Sequence, residues 1–136
     1  MKTLVYTIAG KFVFANGDIY EGEFKVIEDD NIVRSGVGKY TNKKDGVVYK
    51  GDWVDDRMEG QGRVTYPSGA VYEGSFENNL YNGEGTYTWT DGCTYRGTFK
   101  NNLIEGNGKF SDENGTIWCG VFYGKSAPGL RNQLTM

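Results

Sequence analysis

Four glycines recur at an even spacing of 23 residues along this chain, each at the centre of the same five-residue phrase. They are Gly51, Gly74, Gly97 and Gly120. The phrase is aromatic, any residue, glycine, any residue, aromatic, as in Tyr72-Glu73-Gly74-Ser75-Phe76, and an earlier copy centres on Gly22. A fixed period of this length is typical of proteins built from stacked short repeats. The spacing therefore predicts a repeat protein and argues against a globular enzyme.

Each repeat contains two strand-sized pieces separated by turns. Residues 71–76 and 84–89 alternate side-chain character with the period of two that a strand requires. Turn-forming residues lie between them at 78–83 and again at 91–92. Counting such pieces along the whole chain, with an N-terminal pairing strand at residues 4–8 and half a repeat at 10–17, predicts about eleven strands.

Strand parity separates the residues of a repeat into two faces, because alternate side chains point to opposite sides of a sheet. In the copy that begins at Tyr72, one face carries Tyr72, Gly74, Phe76, Gly83, Gly85, Tyr87 and Trp89. The other face is polar apart from Val71. Glycines without side chains let neighbouring rings lie over bare backbone, so Gly51, Gly74, Gly97 and Gly120 are predicted to be structural, and a large residue there should break the aromatic row.

The predicted fold is all-β: a single-layer antiparallel meander of β-hairpin repeats that forms an elongated, twisted and grooved ribbon. Residues 1–125 are assigned to this ribbon, with about five repeats and an insertion at 25–35 where the first copy is stretched. Residues 126–136 leave the pattern and are predicted to form a short C-terminal capping tail, since terminal repeats need caps.

Composition excludes several classes of function. The chain has 15 basic and 18 acidic residues and a net charge of −3, which gives no field that would attract nucleic acid. It has no histidine, so histidine-based triads and most zinc sites are excluded. The two cysteines, Cys93 and Cys119, occupy unlike positions of their repeats and indicate neither a disulfide framework nor a metal site. We expect no catalytic residues, no metal and no cofactor, and hence a protein that is not an enzyme.

The aromatic face is the candidate functional site and also the only candidate core. The predicted partner-binding groove comprises Tyr49, Trp53, Tyr66, Tyr72, Phe76, Tyr87, Trp89, Tyr95 and Phe99. For any single ring, burial in the core is the more common role. Tyr66 and Trp89 lie at the far end of their repeats, beyond the glycines, and we expect these two rings to be the least completely covered.

The polar face carries basic residues interleaved with acids. The basic residues are Lys11, Lys39, Lys50, Arg63, Arg96 and Lys109, and the acids are Glu21, Glu23, Asp52, Glu73 and Glu84. Cross-strand ion pairs on a solvated face are the preferred interpretation. No segment approaches the run of about 20 apolar residues that spans a bilayer, and the first ten residues do not resemble a secretory signal, so we expect a cytoplasmic protein.

The unit from Tyr72-Glu73-Gly74-Ser75-Phe76 through Gly83-Glu84-Gly85-Thr86-Tyr87 resembles the MORN (membrane occupation and recognition nexus) repeat, and copies of it extend over about residues 10–123. The resemblance implies a curved single-sheet ribbon whose trough takes up an amphipathic helix or an extended segment of another protein. Members of that family serve as cytoskeletal scaffolds, including in the axonemes of cilia and sperm flagella. The alternative that the resemblance leaves open is a peripheral membrane adaptor that binds phosphoinositides or other anionic lipid.

Overall fold

The computed structural model of the protein describes residues 6–28 and 31–126, and ten strands run through them. The strands are β1 (Tyr6–Val13), β2 (Ile19–Val26), β3 (Ile32–Thr41), β4 (Val48–Val54), β5 (Arg57–Thr65), β6 (Val71–Glu77), β7 (Leu80–Thr88), β8 (Thr94–Lys100), β9 (Leu103–Ser111) and β10 (Ile117–Ser126). They form one sheet in which each strand lies antiparallel to the next along the chain. The predicted all-β, single-layer antiparallel meander is confirmed.

The start of the chain differs from the prediction of two strands there. A single strand, β1, pairs with β2 along its whole length, and Gly10 lies opposite Gly22 within that ladder instead of forming a turn. The described residues therefore hold ten strands, against about eleven expected for the whole chain. The capping tail predicted at 126–136 falls outside the described residues beyond Ser126 and stays a prediction.

One glycine from every strand contributes to a single row that crosses the sheet. In strand order the row is Gly10, Gly22, Gly38, Gly51, Gly62, Gly74, Gly85, Gly97, Gly108 and Gly120. One repeat contains two strands, so the glycines that are 23 residues apart in the sequence are every second glycine of this row. At Gly51, Gly74 and Gly97 an added Cβ would lie 2.5–2.7 Å from a carbonyl oxygen of the next strand. The strands thus approach each other too closely there for any side chain.

A tyrosine lies over the glycine of the following strand in each of four hairpins. The Tyr72 ring on β6 covers Gly85 on β7, where an added Cβ would lie 2.5 Å from its hydroxyl oxygen. The same hydroxyl donates a hydrogen bond to the carbonyl oxygen of Ser75, at 2.7 Å. The equivalent rings are Tyr20, Tyr49 and Tyr95. Each hairpin therefore repeats one ring-over-glycine contact that is held by one hydrogen bond.

Gly120 departs from the prediction that it clears space beneath a ring. Trp118 stands where the other repeats have the tyrosine, and no described strand follows β10. Among the described residues, an added Cβ at Gly120 meets no atom within 4 Å, and the same holds for Gly10 at the opposite end of the row. The prediction was wrong at this position because the covering contact is made with the following strand.

Hairpins close on one side of the sheet through two-residue turns. Both central residues have positive φ, as at Asn78 (51°) and Asn79 (69°), which is the type I′ geometry of tight hairpins. The polar turn predicted at 78–83 is therefore wrong in length, because β7 begins at Leu80 and carries Tyr81 into the sheet. On the other side, loops of five or six residues each carry a glycine of positive φ just before their last residue, such as Gly69 (96°).

The second residue of each two-residue turn bonds to the preceding hairpin. Asn102 donates its N–H to the carbonyl oxygen of Tyr81 at 3.0 Å, and its side-chain oxygen accepts the N–H of Tyr81 at 2.8 Å. Asn79 makes the same pair of bonds with Met58. Neighbouring repeats are therefore connected outside the strand ladder.

We expect Asn102→Ala to destabilise the protein by about 2 kcal/mol. It leaves the N–H of Tyr81 without its acceptor and places alanine at φ of 69°, where a Cβ is strained. The matched variant Asn102→Gly removes only the hydrogen bond and should cost about 1 kcal/mol. Urea denaturation measures both free energies of unfolding. Equal stability of wild type and Asn102→Ala would show that the inter-repeat bond contributes nothing.

The insertion at 25–35 extends a hairpin and does not form only a loop. It lengthens the ends of β2 and β3 that flank the connection, and it brings Arg34 onto the aromatic face. The Arg34 guanidinium carbon lies 4.5 Å from the Trp53 ring centroid and 5.2 Å from that of Tyr40. Its Nε donates to the Asp56 carboxylate at 3.0 Å. The insertion therefore places a cation over the rings at one end of the ribbon.

Candidate functional site

A cavity of about 360 Å³ opens on the aromatic side of the sheet, in its middle hairpins. It is lined by Tyr40, Asn42, Asp45, Val47, Tyr49, Met58, Val64, Tyr66, Phe76, Asn79, Tyr81 and Asn102. Asn42 and Asp45 come from a loop on one side of the sheet, and Asn79 and Asn102 come from the turns on the other. Residues from both ends of the hairpins line one cavity, so the sheet curls into a trough here.

The trough has an apolar interior and polar rims. Tyr49, Val64, Phe76 and Tyr81 are buried and form its floor. Four side chains pack against this floor while staying partly open to solvent: Tyr40, Val47, Met58 and Tyr66. An apolar cleft with a few polar groups at its margin is the ordinary form of a site that binds another molecule.

The second residue after each two-residue turn is an equivalent position in three repeats. The position is Met58 in one repeat, Tyr81 in the next and Ile104 in the third, each opposite the second aromatic residue of its phrase. Tyr81 and Ile104 are buried in the aromatic core. The Tyr81 ring stacks on the Tyr72 ring, with 3.9 Å between the ring centroids. Met58 is only partly buried and lines the cavity.

The predicted groove residues divide into two groups. Tyr49, Tyr66 and Phe76 line the cavity. The remaining six are buried in the aromatic core: Trp53, Tyr72, Tyr87, Trp89, Tyr95 and Phe99. Their rings meet mainly edge to face, as with Tyr72 and Phe99 at 5.0 Å between centroids. Most of the predicted groove rings therefore belong to the buried core, which was the alternative role expected from the sequence.

The expectation that the Trp89 ring is incompletely covered was wrong. Trp89 is 7% exposed and packs between Tyr87 and Phe110, at 4.9 and 5.8 Å between centroids. Phe110 lies on β9, two strands away from Trp89 in the chain's order, and sequence parity alone does not reveal that contact. Tyr66 is partly exposed as expected, and its hydroxyl shares a hydrogen bond with that of Tyr81.

Sequence reasoning missed nine of the residues that line the cavity. They are Tyr40, Asn42, Asp45, Val47, Met58, Val64, Asn79, Tyr81 and Asn102. A signal for Tyr81 was present, because a two-residue Asn-Asn turn makes Leu80 and Tyr81 part of a strand. The others lie in turns or at strand ends, and only the curl of the sheet gathers them.

Burial raises the pKa of the tyrosines that form the core. It raises the pKa of Tyr20, Tyr87 and Tyr95 to about 12 in each case, because the phenolate would lose its hydration inside the aromatic row. The pKa of Tyr81 is raised further by burial and then by the neighbouring Tyr66 hydroxyl. All of these rings stay protonated at neutral pH, so they offer hydroxyl donors and no charge.

The polar face carries a basic row where ion pairs were predicted. The register aligns Lys11, Glu21, Lys39, Lys50, Arg63, Glu73, Thr86, Arg96, Lys109 and Cys119 across the ten strands. Within residues 6–28 and 31–126, Arg63 and Glu73, at 2.9 Å, are the one predicted pair that forms. General cross-strand pairing is therefore not found among the described residues. Glu21 lies opposite both Lys11 and Lys39 without an ion pair to either. Glu23, Asp52 and Glu84 lie in the adjacent row. Those acids accept hydrogen bonds from Val37 N–H, Gln61 N–H and the Thr98 hydroxyl.

A small cluster of possible ligand atoms lies near one loop and was not predicted. The ligand atoms of Asp91, Cys93 and Glu113 lie within 4.8 Å of one another. The Cys93 thiol is buried and donates a hydrogen bond to the Glu113 carboxylate at 3.1 Å. This hydrogen bond joins the loops of two neighbouring hairpins, which is a structural role.

The architecture defines a class: a single-layer β-repeat protein with an aromatic trough on one face and a polar face on the other. The family model of the MORN repeat matches residues 49–71, 72–94 and 95–117, which is just over half of the chain. The chain belongs to the MORN-repeat family. The β2–β3 hairpin has the same ring-over-glycine contact and is a further structural copy.

Other comparisons add little to this assignment. No curated protein matches the chain. Among the described residues, no helix has the length and apolar character needed to cross a membrane. MORN repeats are associated in general with binding of proteins or of membrane lipid.

Proposed function

We propose that this protein is a non-enzymatic interaction scaffold that binds a segment of another protein in its aromatic trough. The observation that carries the proposal is the 360 Å³ cavity, whose partly exposed apolar walls include Met58 and Tyr66. Rings of tyrosine and side chains of methionine are enriched at protein interfaces because they offer large adaptable apolar area. A soluble fold with an open apolar cleft of this kind suits an apolar partner side chain.

The chemistry of the rims narrows the partner. Asn42 and Asp45 line one rim, and Asn79 and Asn102 line the other. These amide and carboxylate groups suit hydrogen bonds to a peptide backbone or to polar side chains that flank an apolar anchor. An amphipathic helix or an extended segment that inserts one or two apolar residues fits this arrangement. No nucleic acid is part of the proposal.

We expect Met58→Glu to weaken partner binding at least tenfold while the fold is retained, because a charge would lose its hydration in the occupied trough. The probe is a peptide selected on the wild-type protein from a displayed library, with affinity measured by titration calorimetry. The matched control is Val37→Glu, which places the same charge on the opposite face at a residue that is 55% exposed. Circular dichroism verifies both folds. Equal affinity of the peptide for wild type and Met58→Glu would reject the trough as the site.

The cellular setting is a narrower proposal and rests on resemblance. The residues that follow β10, Ala127-Pro128-Gly129-Leu130 and onward to Met136, resemble the tail of the small MORN repeat-containing protein 2. We propose a cytoplasmic role in a ciliary or sperm-flagellar axoneme, as a structural component that binds another protein of that assembly. Endogenous tagging in ciliated cells tests this proposal, and a tagged protein that is absent from the cilium would contradict it.

The basic row favours a second candidate, a peripheral membrane adaptor that binds phosphoinositides or other anionic lipid. Lys39 and Lys50 are neighbours in that row, and Arg63 follows them on β5. A row of cations on one face attracts an anionic surface within about a Debye length. Vesicle flotation is the test. If this function holds, Lys39→Gln with Lys50→Gln should weaken flotation with phosphoinositide vesicles several-fold, whereas Met58→Glu should not. No flotation of wild type at low salt would end this candidate.

A further inference from the structure

Both outer edges of the sheet are long, apolar and unpaired in the described residues. On β1, Ile8, Phe12 and Val13 are exposed, and on β10, Ile117 and Val121 are exposed. Natural proteins usually protect such edges with charges, prolines or bulges, because an open edge is a template for another strand. We propose that the β10 edge of one copy pairs with the β1 edge of a second copy, which continues the meander head to tail.

Strand direction fits this arrangement. Directions alternate along the sheet, so β1 and β10 run antiparallel to each other in one copy. A second copy placed next along the ribbon in the same orientation therefore presents its β1 antiparallel to β10 of the first copy. Within one copy, every odd-numbered strand after β1 is likewise antiparallel to the strand before it. The second copy need not be reversed to satisfy the ladder.

The hydrogen-bonding groups also match. The N–H of Phe14 donates to Asp18 O at 2.9 Å, and bonded pairs alternate along an antiparallel ladder. The N–H groups of Ala9, Lys11 and Val13 consequently point away from β2. On β10 the pattern starts from the N–H of Asp112, which donates to the carbonyl oxygen of Thr116. The N–H groups of Ile117, Cys119 and Val121 therefore point away from β9.

The glycine row sets the register between the two copies. Placing Gly120 opposite Gly10 of the second copy extends the row, and it aligns the outward-facing groups in three pairs. The pairs are Ile117 with Val13, Cys119 with Lys11, and Val121 with Ala9. Each such pair exchanges two hydrogen bonds. Two of the three pairs join apolar side chains that a single copy leaves in water.

The ring-over-glycine contact distinguishes this arrangement from a two-fold dimer. In four hairpins the ring of an even-numbered strand covers the glycine of the next odd-numbered strand. Trp118 on β10 has that ring position. In the part of the chain that the structure describes, Gly10 on β1 is the one odd-strand glycine with no atom within 4 Å of its added Cβ. Head-to-tail pairing brings the Trp118 ring over Gly10, whereas pairing two β1 edges or two β10 edges does not join them in this way.

The interface is heterologous, so a pair of copies keeps one free edge at each end and further copies can add there. Sedimentation of the full chain between about 1 µM and about 1 mM tests this, since a small edge interface is expected to be weak. We expect the average mass to rise without stopping at a dimer. A monomer throughout, or a plateau at a dimer, would overturn the proposal.

Two edge variants give a sharper test. Ala9→Pro and Val121→Pro each remove one outward-facing N–H and no bond within the sheet. Each variant alone should associate at least tenfold more weakly, and an equimolar mixture should form a 1:1 complex and stop there, because each variant keeps one intact edge. Failure of the mixture to form that complex, or association that survives either substitution, would overturn the proposal.

A second pair of variants addresses the ring contact if a proline variant fails to fold. Gly10→Val adds a side chain where the single copy has open space, so its folded state should be retained. It should block the Trp118 ring of the neighbouring copy and lower association at least tenfold. Trp118→Ala should do the same from the other edge. Undiminished association of both folded variants would rule out the proposed register.

Discussion

Gly85→Ala is expected to destabilise the protein by about 3 kcal/mol and to lower Tm by roughly 10 °C. The added methyl would lie 2.5 Å from the Tyr72 hydroxyl oxygen and 2.7 Å from two of its ring carbons. Tyr72 is fully buried and donates to Ser75 O, so the ring has no room to withdraw. Calorimetric melting of the purified protein measures the change.

Gly120→Ala is the control for this prediction. It lies in the same glycine row and lacks positive φ, as Gly85 does, but its added Cβ has no neighbour within 4 Å. We expect its stability to stay within about 0.5 kcal/mol of wild type. Similar Tm values for the two variants would show that the rings do not make the glycines obligatory. Loss of stability in both would point to backbone effects instead.

Raising the pH should unfold the protein between about pH 10 and pH 12. Burial raises the pKa of Tyr20, Tyr87 and Tyr95 to about 12, whereas a tyrosine of the unfolded chain has a pKa of about 10. Below pH 10 both states keep these protons, so the stabilising effect of protonated rings is fully present. Above it the unfolded chain releases protons first, and the free energy of unfolding falls with each pH unit.

Absorbance of phenolate and circular dichroism, followed together during titration, test this prediction. Ionisation of the core rings should coincide with loss of the β-sheet signal. Tyr87→Phe, which removes one titrating hydroxyl from the core, should make the free energy of unfolding fall less steeply with pH. A protein whose core tyrosines ionise near pH 10 while the sheet persists would contradict the assigned burial.

The repeat, the strand parity and the aromatic side of the sheet could all be predicted from the sequence. These properties are local: a period of two assigns Tyr72 and Phe76 to one face, and a glycine between them marks a close approach of strands. The hairpin that contains Tyr81 was predicted less well. Its turn depends on positive φ at both Asn78 and Asn79, and the run of polar residues suggested a longer loop.

The candidate site was only partly predictable. Tyr66 was correctly expected to stay partly exposed, whereas Trp89 is covered by Phe110, a residue of another strand. The charged face shows the same limit, because the sequence shows basic and acidic residues interleaved but not the register that puts Glu23, Asp52 and Glu84 in a row beside the basic one. Pairing across strands decides which side chains meet, and that information is absent from any one strand.

The sequence by itself therefore determined a glycine-registered β-ribbon with one aromatic face, because spacing and parity act within a single repeat. Only the tertiary structure decided where that face is open. The trough lies beside the partly buried Met58, whereas the equivalent residues Tyr81 and Ile104 are buried, and the curl of the sheet brings Asn42 and Asn79 to one cavity. Whether a ring is exposed depends on side chains from other strands, as Phe110 covers Trp89. The exposure of each ring therefore depends on how the repeats pack together and cannot be read from the sequence of one repeat.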